Sequence, residues 1–219
     1  MTSPMSVTAL GPSEIEGAGN YVHVLRRRGD ASHKDVFALF FMDSGGYYRS
    51  EKTLGYDYFD PSQVAWFQKA SGALEEQNGF NVPAMAFFHI PLFEFNDAVD
   101  RLGQQLEVLN TGTATQKNLH GTTRFITGVH NGGMFGAFAR TGNVFACAAG
   151  HDHINDYCGR AHGIHMCFAG GTTYVNYGDK KFARRVRVFT LHHKGRLLDA
   201  LDDPLAPGLR ALDYQVLRH

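Results

Sequence analysis

The sequence predicts a layered α/β or α+β fold built on mixed β-sheets. Residues 36–42, 82–88 and 144–149 form three continuous apolar runs, which is the pattern of strands covered on both faces. Between the first two runs, Asp-Pro-Ser-Gln at 60–63 opens a helix. The aspartate suits the N-cap, the proline suits the first helical position, and the glutamine can complete a capping box. Strands that alternate with a helix predict a sheet with the helix packed outside it.

The remaining elements follow from local patterns. Residues 20–26 are predicted to form a strand, and Asn78-Gly79 is a plausible end for the helix that begins at 60–63. Further expected elements are a short helix over 131–140, a strand over 163–169 and a hairpin whose first strand spans 184–191 and whose turn is Lys194-Gly195. Residues 1–19 are small, polar and glycine-bearing. We expect them to form a loop or a disordered lead before one domain that spans 20–219.

Composition restricts the partners that the protein can use. The 219 residues carry 21 basic and 21 acidic side chains, so the formal net charge is zero, and the longest basic run is Arg26-Arg27-Arg28. This balance argues against a nucleic-acid or an anionic membrane partner. No apolar run reaches the roughly 20 residues of a membrane-spanning helix. Residues 1–12 lack the basic and apolar regions of a secretory signal, and the cellular location is left open.

Two clusters of reactive residue types have ordinary explanations. Three cysteines do not make a disulfide framework, although one pair could bridge. Cys158, His162, His165 and Cys167 could form a zinc site, but their spacing fits no common finger, and buried cysteines with surface histidines are expected instead. Strand alternation places Arg185 and Arg187 on one face and Arg184 on the other, so we expect salt-bridged surface arginines rather than a phosphate site.

Residues 150–159 carry the most specific polar pattern in the chain. They read Gly-His-Asp-His-Ile-Asn-Asp-Tyr-Cys-Gly and follow the apolar run that ends at residue 149. A strand end is where a sheet protein places functional side chains, because the strand is rigid and the loop is free to vary. Histidine is the commonest metal ligand, so His151 and His153 are candidate ligands. Candidates to orient them are Asp152, Asn155 and Asp156. For an isolated His-x-His, the alternative is a polar turn with two solvated histidines.

The stretch at 150–159 resembles the last motif of the calcineurin-like metallophosphoesterases, Gly-His-x-His, and its longer form resembles their purple-acid-phosphatase-like branch. Three more segments are similar to that branch: Asp-Ser-Gly-Gly-Tyr at 43–47, Gln-x-x-Trp-Phe at 63–67 and Phe-His-Ile-Pro-Leu at 88–92. The resemblance spans roughly residues 20–191. It implies an αββα sandwich, two mixed sheets face to face with helices outside, of which this chain matches the second half.

The resemblance also implies the chemistry of the site. His89 follows the strand at 82–88 and by pattern alone would be a structural residue, but it corresponds to a metal ligand of the family. It would serve one metal ion together with His151, and His153 would serve the other. Asp43 joins the residues expected to orient the ligands. The implied cofactors are two divalent or mixed-valent ions of iron, zinc or manganese, the implied substrate is a phosphate ester, and the catalytic residues stay unknown.

The other half of the family's ligand set has no counterpart in this sequence. The family supplies Asp-x-His, Gly-Asp-x-x-Asp and Gly-Asn-His-Asp, and none of the three motifs occurs here. The bridging carboxylate, the asparagine ligand and the histidine usually cast as general acid are therefore missing. The chain resembles the C-terminal half of a phosphoesterase domain.

Three interpretations follow from the missing motifs. The chain is a fragment of a phosphoesterase, a half-domain that another polypeptide completes, or a non-catalytic interaction module that keeps the scaffold. For the chain alone we expect one weakly held divalent metal or none, and little or no phosphatase activity, because hydrolysis needs the two-metal clamp. A sheet left bare by the missing half would favour self-association.

Overall fold

The computed structural model describes residues 5–27, 29, 31–32, 34–98, 127–178, 180, 184–191 and 209–215. The chain divides into two compact units. The first comprises Met1–Leu92 and Thr127–Cys147, and the second comprises Phe93–Ile126 and Ala148–His219. Among the helices in the described part of the chain, none has the length and apolar character needed to cross a membrane.

The elements give a mixed α/β architecture. In chain order the strands are β1 (Tyr21–Arg26), β2 (Asp35–Phe41), β3 (Tyr47–Arg49), β4 (Leu54–Tyr56), β5 (Ala84–Phe88), β6 (Val144–Ala149), β7 (Cys158–Ala161), β8 (Ile164–Phe168), β9 (Arg185–Leu191) and β10 (Leu209–Gln215). The α-helices are α1 (Pro61–Asn78) and α2 (Met134–Thr141), and Phe93–Ala98 forms a 3₁₀ helix. Six strands form one sheet in the order β1-β2-β5-β6-β8-β7. The sheet is mixed, because β1 and β2 pair antiparallel whereas β2 and β5 pair parallel.

Aromatic contacts join the helices to the sheet in the first unit. Phe67 of α1 is completely buried, and its ring centroid lies 4.8 Å from that of Phe40 in β2 and 4.9 Å from that of Phe138 in α2. Both pairs meet edge to face, which adds attraction to the apolar burial. The helix predicted to pack outside the sheet therefore packs against β2.

The boundaries of α1 are those that its sequence predicts. The Asp60 side chain accepts from the Ser62 N–H at 2.8 Å, and the Asp60 N–H donates to the side chain of Gln63 at 2.9 Å. This reciprocal capping box satisfies backbone donors that the first turn leaves unpaired. At the other end Gly79 adopts φ 76°, a conformation that favours glycine, and its N–H donates to the Glu75 carbonyl.

The buried face of α1 is largely polar. Its buried positions are Gln63, Phe67, Ser71 and Asn78. Gln63 donates from its amide to Asn20 Oδ1 at 3.0 Å and to the Asp43 carbonyl at 2.6 Å. Asn78 donates to Asp35 Oδ2 at 3.0 Å and accepts from the Asp35 N–H at 2.8 Å. Buried amides are tolerated here because their hydrogen bonds are made.

A disulfide crosses the β7–β8 ladder in the second unit. Cys158 lies opposite Cys167 in the antiparallel register, and the two form a disulfide with 4.1 Å between their Cα atoms. Both half-cystines are buried, and Phe189 of β9 packs against them. One pair of cysteines therefore bridges, as the sequence allowed, and the zinc interpretation of this cluster has no support in this structure.

The two histidines of that cluster lie in different environments. His162 is exposed, and its Nε2 lies 3.0 Å from Asp97 Oδ2. His165 is half-buried opposite Arg160, so the expectation of a surface histidine is wrong for this residue. Burial and then the charge of Arg160 lower the pKa of His165 to about 4. Its ring is therefore neutral at physiological pH.

The main elements agree with the sequence predictions, but some short strands were not predicted. The three apolar runs form β2, β5 and β6, and the strand predicted over 163–169 is β8. β9 pairs antiparallel with β10, while the predicted turn at Lys194-Gly195 lies outside the described residues. The β3–β4 hairpin and β7 were not predicted, because elements of three or four residues are too short to show a period.

The capping box gives a prediction about stability and pH. Asp60→Ala should lower the free energy of unfolding by about 1 kcal/mol at pH 7. Hydrogen bonds from Ser62 hold the pKa of Asp60 below its usual 3.8. A folded-state pKa below the unfolded one gives stability that is present above the unfolded value and is lost as pH falls through the folded value. Urea unfolding between about pH 7 and about pH 3 measures this loss.

Asp60→Asn is the matched control, because asparagine caps a helix without an ionisable group. The advantage of aspartate over asparagine should shrink as the solution is acidified, and the advantage of asparagine over alanine should stay constant. An aspartate advantage that does not change with pH would contradict the role assigned to its charge.

The disulfide gives a second prediction. Its two cysteines are nine residues apart, and closing a loop of that size should stabilise the fold by about 3 kcal/mol in the chain-entropy description. Adding a reductant should therefore shift the urea midpoint of the native chain downward. The double variant Cys158→Ala, Cys167→Ala should unfold at a lower midpoint that the reductant leaves unchanged. A native chain whose midpoint is insensitive to full reduction would refute the stabilising role.

Candidate functional site

The His loop, defined here as residues 150–157, connects β6 to β7. Its backbone turns sharply at His151, where φ is 62° and the Asp152 N–H donates to the Gly150 carbonyl at 2.6 Å. A hydrogen bond closed across one residue with positive φ makes a γ-turn, which is rare and strained for a residue with a side chain. Strain of this kind persists where the surroundings hold it in place, and it marks the turn as a candidate site.

Buried polar groups hold the γ-turn from inside the loop. Asn155 is completely buried, and its side-chain amide donates to Asp152 Oδ2 at 2.6 Å while its N–H donates to the Asp152 carbonyl at 3.1 Å. Burial raises the pKa of the Asp152 carboxyl, and the hydrogen bond from Asn155 acts in the opposite direction. Both residues were expected to orient metal ligands. In the structure they brace the backbone that carries His151 and His153.

Asp156 ties the His loop to β9. Its carboxylate pairs with the Arg185 guanidinium, and its carbonyl accepts from Arg187. The side chains of Asp156 and Arg185 are 3% and 15% exposed, so the ion pair is shielded from water. Arg187 Nε also donates to the Phe168 carbonyl at 2.9 Å. These two arginines were expected on the surface, but both are half-buried. Arg185 supplies the paired charge that the buried carboxylate needs, and Arg187 binds backbone carbonyls.

Tyr177 contacts three successive residues of the His loop. Its hydroxyl accepts from the His153 N–H at 3.0 Å and lies 3.0 Å from the His151 carbonyl and 3.4 Å from Asp152 Oδ1. Its ring stacks on the His153 imidazole with centroids 4.2 Å apart and planes 10° apart. Its carbonyl lies 3.0 Å from Nδ1 of His153. His153 is therefore held at its backbone, at one ring face and at one ring nitrogen.

Arg184 fixes the segment that carries Tyr177. Its Nη1 donates to the Tyr177 carbonyl at 2.9 Å, and its Nη2 donates to the Asn176 carbonyl at 2.7 Å. Gly178 makes this approach feasible, because a Cβ at that position would overlap the guanidinium. Arg184 precedes β9 and binds back to the loop before it, rather than facing solvent with a carboxylate partner.

His89 and Asp43 belong to the first unit. His89 is exposed and follows β5 directly, as predicted. Ser44 Oγ accepts the backbone N–H groups of His89 and of the residue after it, at 3.1 and 2.8 Å. The buried Ser44 therefore fixes the strand end. Asp43 accepts from the Ala18 N–H at 2.9 Å and holds the loop that precedes β1.

The described residues do not assemble a complete metal site. Within them, no group of three or more His, Cys, Asp or Glu side chains is placed to hold a metal ion. His151 and His153 lie in the second unit and His89 in the first, and the convergence of the three stays a prediction. Tyr177 was missed by sequence reasoning, since it lies 24 residues after His153 in a stretch without a periodic pattern, and Arg184 was expected to be a surface arginine.

Comparison with curated proteins finds relatives over most of the chain. It is 33% identical over 199 residues to "Probable inactive purple acid phosphatase 29" of Arabidopsis thaliana, covering 84% of this chain and 48% of the relative. It is 35% identical over 179 residues to "Probable inactive purple acid phosphatase 28" of the same plant, covering 80% and 41%. With "Phosphatase DCR2" of Saccharomyces cerevisiae it shares 29% identity over 184 residues, covering 77% and 29%.

The relatives cover this chain much more fully than it covers them. No protein-family model matches the chain, and no solved structure matches it. The chain spans about half the length, or less, of the curated relatives that it matches. On these alignments, the chain belongs to the purple acid phosphatase-like branch of the calcineurin-like metallophosphoesterases, and it matches part of the length of each relative.

Proposed function

We propose that this chain supplies the histidine-bearing part of a metal-dependent phosphoesterase site and that it does not form the whole site by itself. The observation that carries the proposal is the His loop. The loop presents His151 and His153 two residues apart, with His151 in a strained γ-turn. Asn155, Tyr177 and the Asp156–Arg185 ion pair hold the loop in that shape. Membership of a metallophosphoesterase family supports metal ions as the cofactor and a phosphate ester as the substrate class.

His153 has the donor chemistry of a metal ligand. Its Nδ1 faces the Tyr177 carbonyl, which leaves Nε2 to bind a cation. Metal-ligating histidines usually donate their second ring N–H to a carbonyl or a carboxylate in this way. In the complete domain, His89, His151 and His153 would hold the ions. When bound, two metal ions activate water and stabilise the charge that develops on a transferring phosphoryl group.

Three carboxylates that were candidates to orient the metal ligands are already engaged. Asp152 accepts from Asn155, Asp156 pairs with Arg185, and Asp43 accepts backbone N–H groups in the first unit. Histidines are neutral ligands, and a two-metal clamp also needs anionic oxygen ligands. We therefore propose that the Asp-x-His, Gly-Asp-x-x-Asp and Gly-Asn-His-Asp ligands come from another part of the domain, in the same polypeptide or in a second one.

A second candidate function is a non-catalytic module that keeps the scaffold. The names of the Arabidopsis relatives carry the words "probable inactive", and this sequence lacks the three ligand motifs. In that case the His loop would serve recognition. The two candidates differ in whether the histidines bind metal, so metal binding distinguishes them directly.

Metal binding and phosphatase rate of the 219-residue chain test the proposal. We expect one weakly bound Zn²⁺ per chain by calorimetric titration, and no hydrolysis of p-nitrophenyl phosphate above the metal-only background. His151→Ala combined with His153→Ala should abolish the Zn²⁺ binding, because the two imidazoles are the ligands. Supplying a polypeptide that carries the three missing motifs should raise the hydrolysis rate above the background.

His162→Ala is the control, since this histidine is exposed and lies on the β7–β8 turn outside the His loop. It should leave Zn²⁺ binding unchanged. Two tightly held metal ions with turnover by the chain alone would show that the site is complete. Zn²⁺ binding that survives the double histidine replacement would refute the metal role and support the non-catalytic module.

A further inference from the structure

We propose that Tyr177, held by Arg184, is a positioning residue that selects the tautomer of His153 with hydrogen on Nδ1 and the lone pair on Nε2. The tautomer follows from contacts within the second unit. Its use, to present Nε2 to a metal ion, rests on the proposed function.

The Tyr177 carbonyl, 3.0 Å from Nδ1, determines which nitrogen of the His153 ring is the hydrogen-bond donor. A carbonyl oxygen can only accept, so Nδ1 must be the donor. A neutral imidazole carries one ring hydrogen, so Nε2 then holds the lone pair. The stacked Tyr177 ring covers one face of the imidazole and opposes the flip that would exchange its edges. The position of one backbone carbonyl therefore decides which nitrogen is the ligand.

The Tyr177 hydroxyl fixes the backbone on which the imidazole stands. Its oxygen accepts from the His153 N–H at 3.0 Å. Its single hydrogen goes to the His151 carbonyl at 3.0 Å, in preference to Asp152 Oδ1 at 3.4 Å. The hydroxyl thus bonds to the backbone of both His151 and His153 and bridges them across the strained turn. One residue therefore acts in two ways: its carbonyl orients the imidazole, and its hydroxyl fixes the backbone beneath the imidazole.

Arg184 keeps the Tyr177 carbonyl in place. A carbonyl oxygen has two lone pairs, and this one accepts from Arg184 Nη1 at 2.9 Å as well as from His153 Nδ1. Nη2 binds the Asn176 carbonyl at 2.7 Å, so one planar guanidinium orients two successive peptide groups. Such a charged donor makes stronger hydrogen bonds than a neutral one. Arg184 therefore acts on His153 through Tyr177.

Exposure argues against a packing role for Tyr177. The residue is 57% exposed, and its neighbours Tyr174 and Val175 are more exposed still. A side chain in that position buries little apolar area and contributes little hydrophobic stability. Its contacts are polar, directional and concentrated on His151, Asp152 and His153. That distribution fits a residue that sets geometry.

Long-range ¹H–¹⁵N correlation NMR on the metal-free 219-residue chain reads the tautomer directly. The spectrum is taken at about pH 8.5, two units above the ordinary histidine value of about 6.5, so that imidazoles are neutral. His153→Gln identifies the His153 signals. In the native chain we expect a protonated Nδ1 and an unprotonated Nε2. Arg184→Ala should give a mixture of the two tautomers, because the carbonyl is no longer held against the ring.

Tyr177→Phe separates the hydroxyl from the carbonyl. The variant keeps the ring and the carbonyl, so the tautomer should stay on Nδ1. Loss of the hydroxyl loosens the turn and should weaken Zn²⁺ binding about tenfold, as removal of an outer-shell partner typically does. Tyr174→Phe is the matched control, because it removes a hydroxyl from an exposed tyrosine three residues away. It should change neither the tautomer nor the Zn²⁺ affinity.

Two results would overturn the proposal: a native His153 with hydrogen on Nε2, or an Arg184→Ala variant whose tautomer matches the native one. If that variant unfolds, Arg184→Lys, which keeps the charge without the planar fork, is read in the same way. A native chain with hydrogen on Nδ1 that binds no Zn²⁺ would refute the proposed function and leave the tautomer selection by Tyr177 supported.

Discussion

The Asp156 side chain is 3% exposed, and a carboxylate that far from water is tolerable only with a positive partner beside it. Arg185 meets that requirement from the first position of β9, and Arg187, on the same strand face, binds the Asp156 carbonyl. The Asp156–Arg185 ion pair therefore fixes the first residue of β9 beside the His loop. Removing one partner would leave the other charge buried, which typically costs about 3–5 kcal/mol. The placement of Arg184 and of the segment before it follows from this register, since Arg184 precedes Arg185 directly.

Buried polar groups set geometry in both units. In the first unit, Gln63 and Asn78 fasten α1 through amides that bond to Asn20 and Asp35. In the second unit, Asn155 braces the γ-turn. Apolar packing is non-directional, so it can stabilise a fold while leaving a loop free to shift. Hydrogen bonds to buried groups are directional and costly to break, and this explains how His151 is kept at a positive φ.

How far the sequence predicts the structure depends on the range of each interaction. Apolar runs predict the strands at 36–42 and 144–149, and the capping residues predict α1. These signals can be read from the sequence because each lies within a short stretch of it. The His loop was found because its motif is contiguous. Tyr177 was not, since its partners lie 24 and 26 residues away and its neighbours show no period. The cysteine pairing stayed open, because spacing alone does not reveal which strands are adjacent. The placement of His89 relative to the His loop remains a prediction.

The bridge between β7 and β8 has a consequence for oxidative folding. Three thiols permit three single-bridge isomers, and the native one joins cysteines nine residues apart. A bridge from Cys147 to Cys158 would close a loop of eleven, since 158 − 147 = 11. Loop-closure entropy separates nine from eleven by only about 0.2 kcal/mol, so chain statistics scarcely discriminate between the two. Correct pairing must therefore wait until β7 lies against β8 and Cys147 is enclosed in β6. Oxidant supplied before that point would give scrambled isomers, and these can rearrange when the thiolate of the third cysteine attacks the bridge.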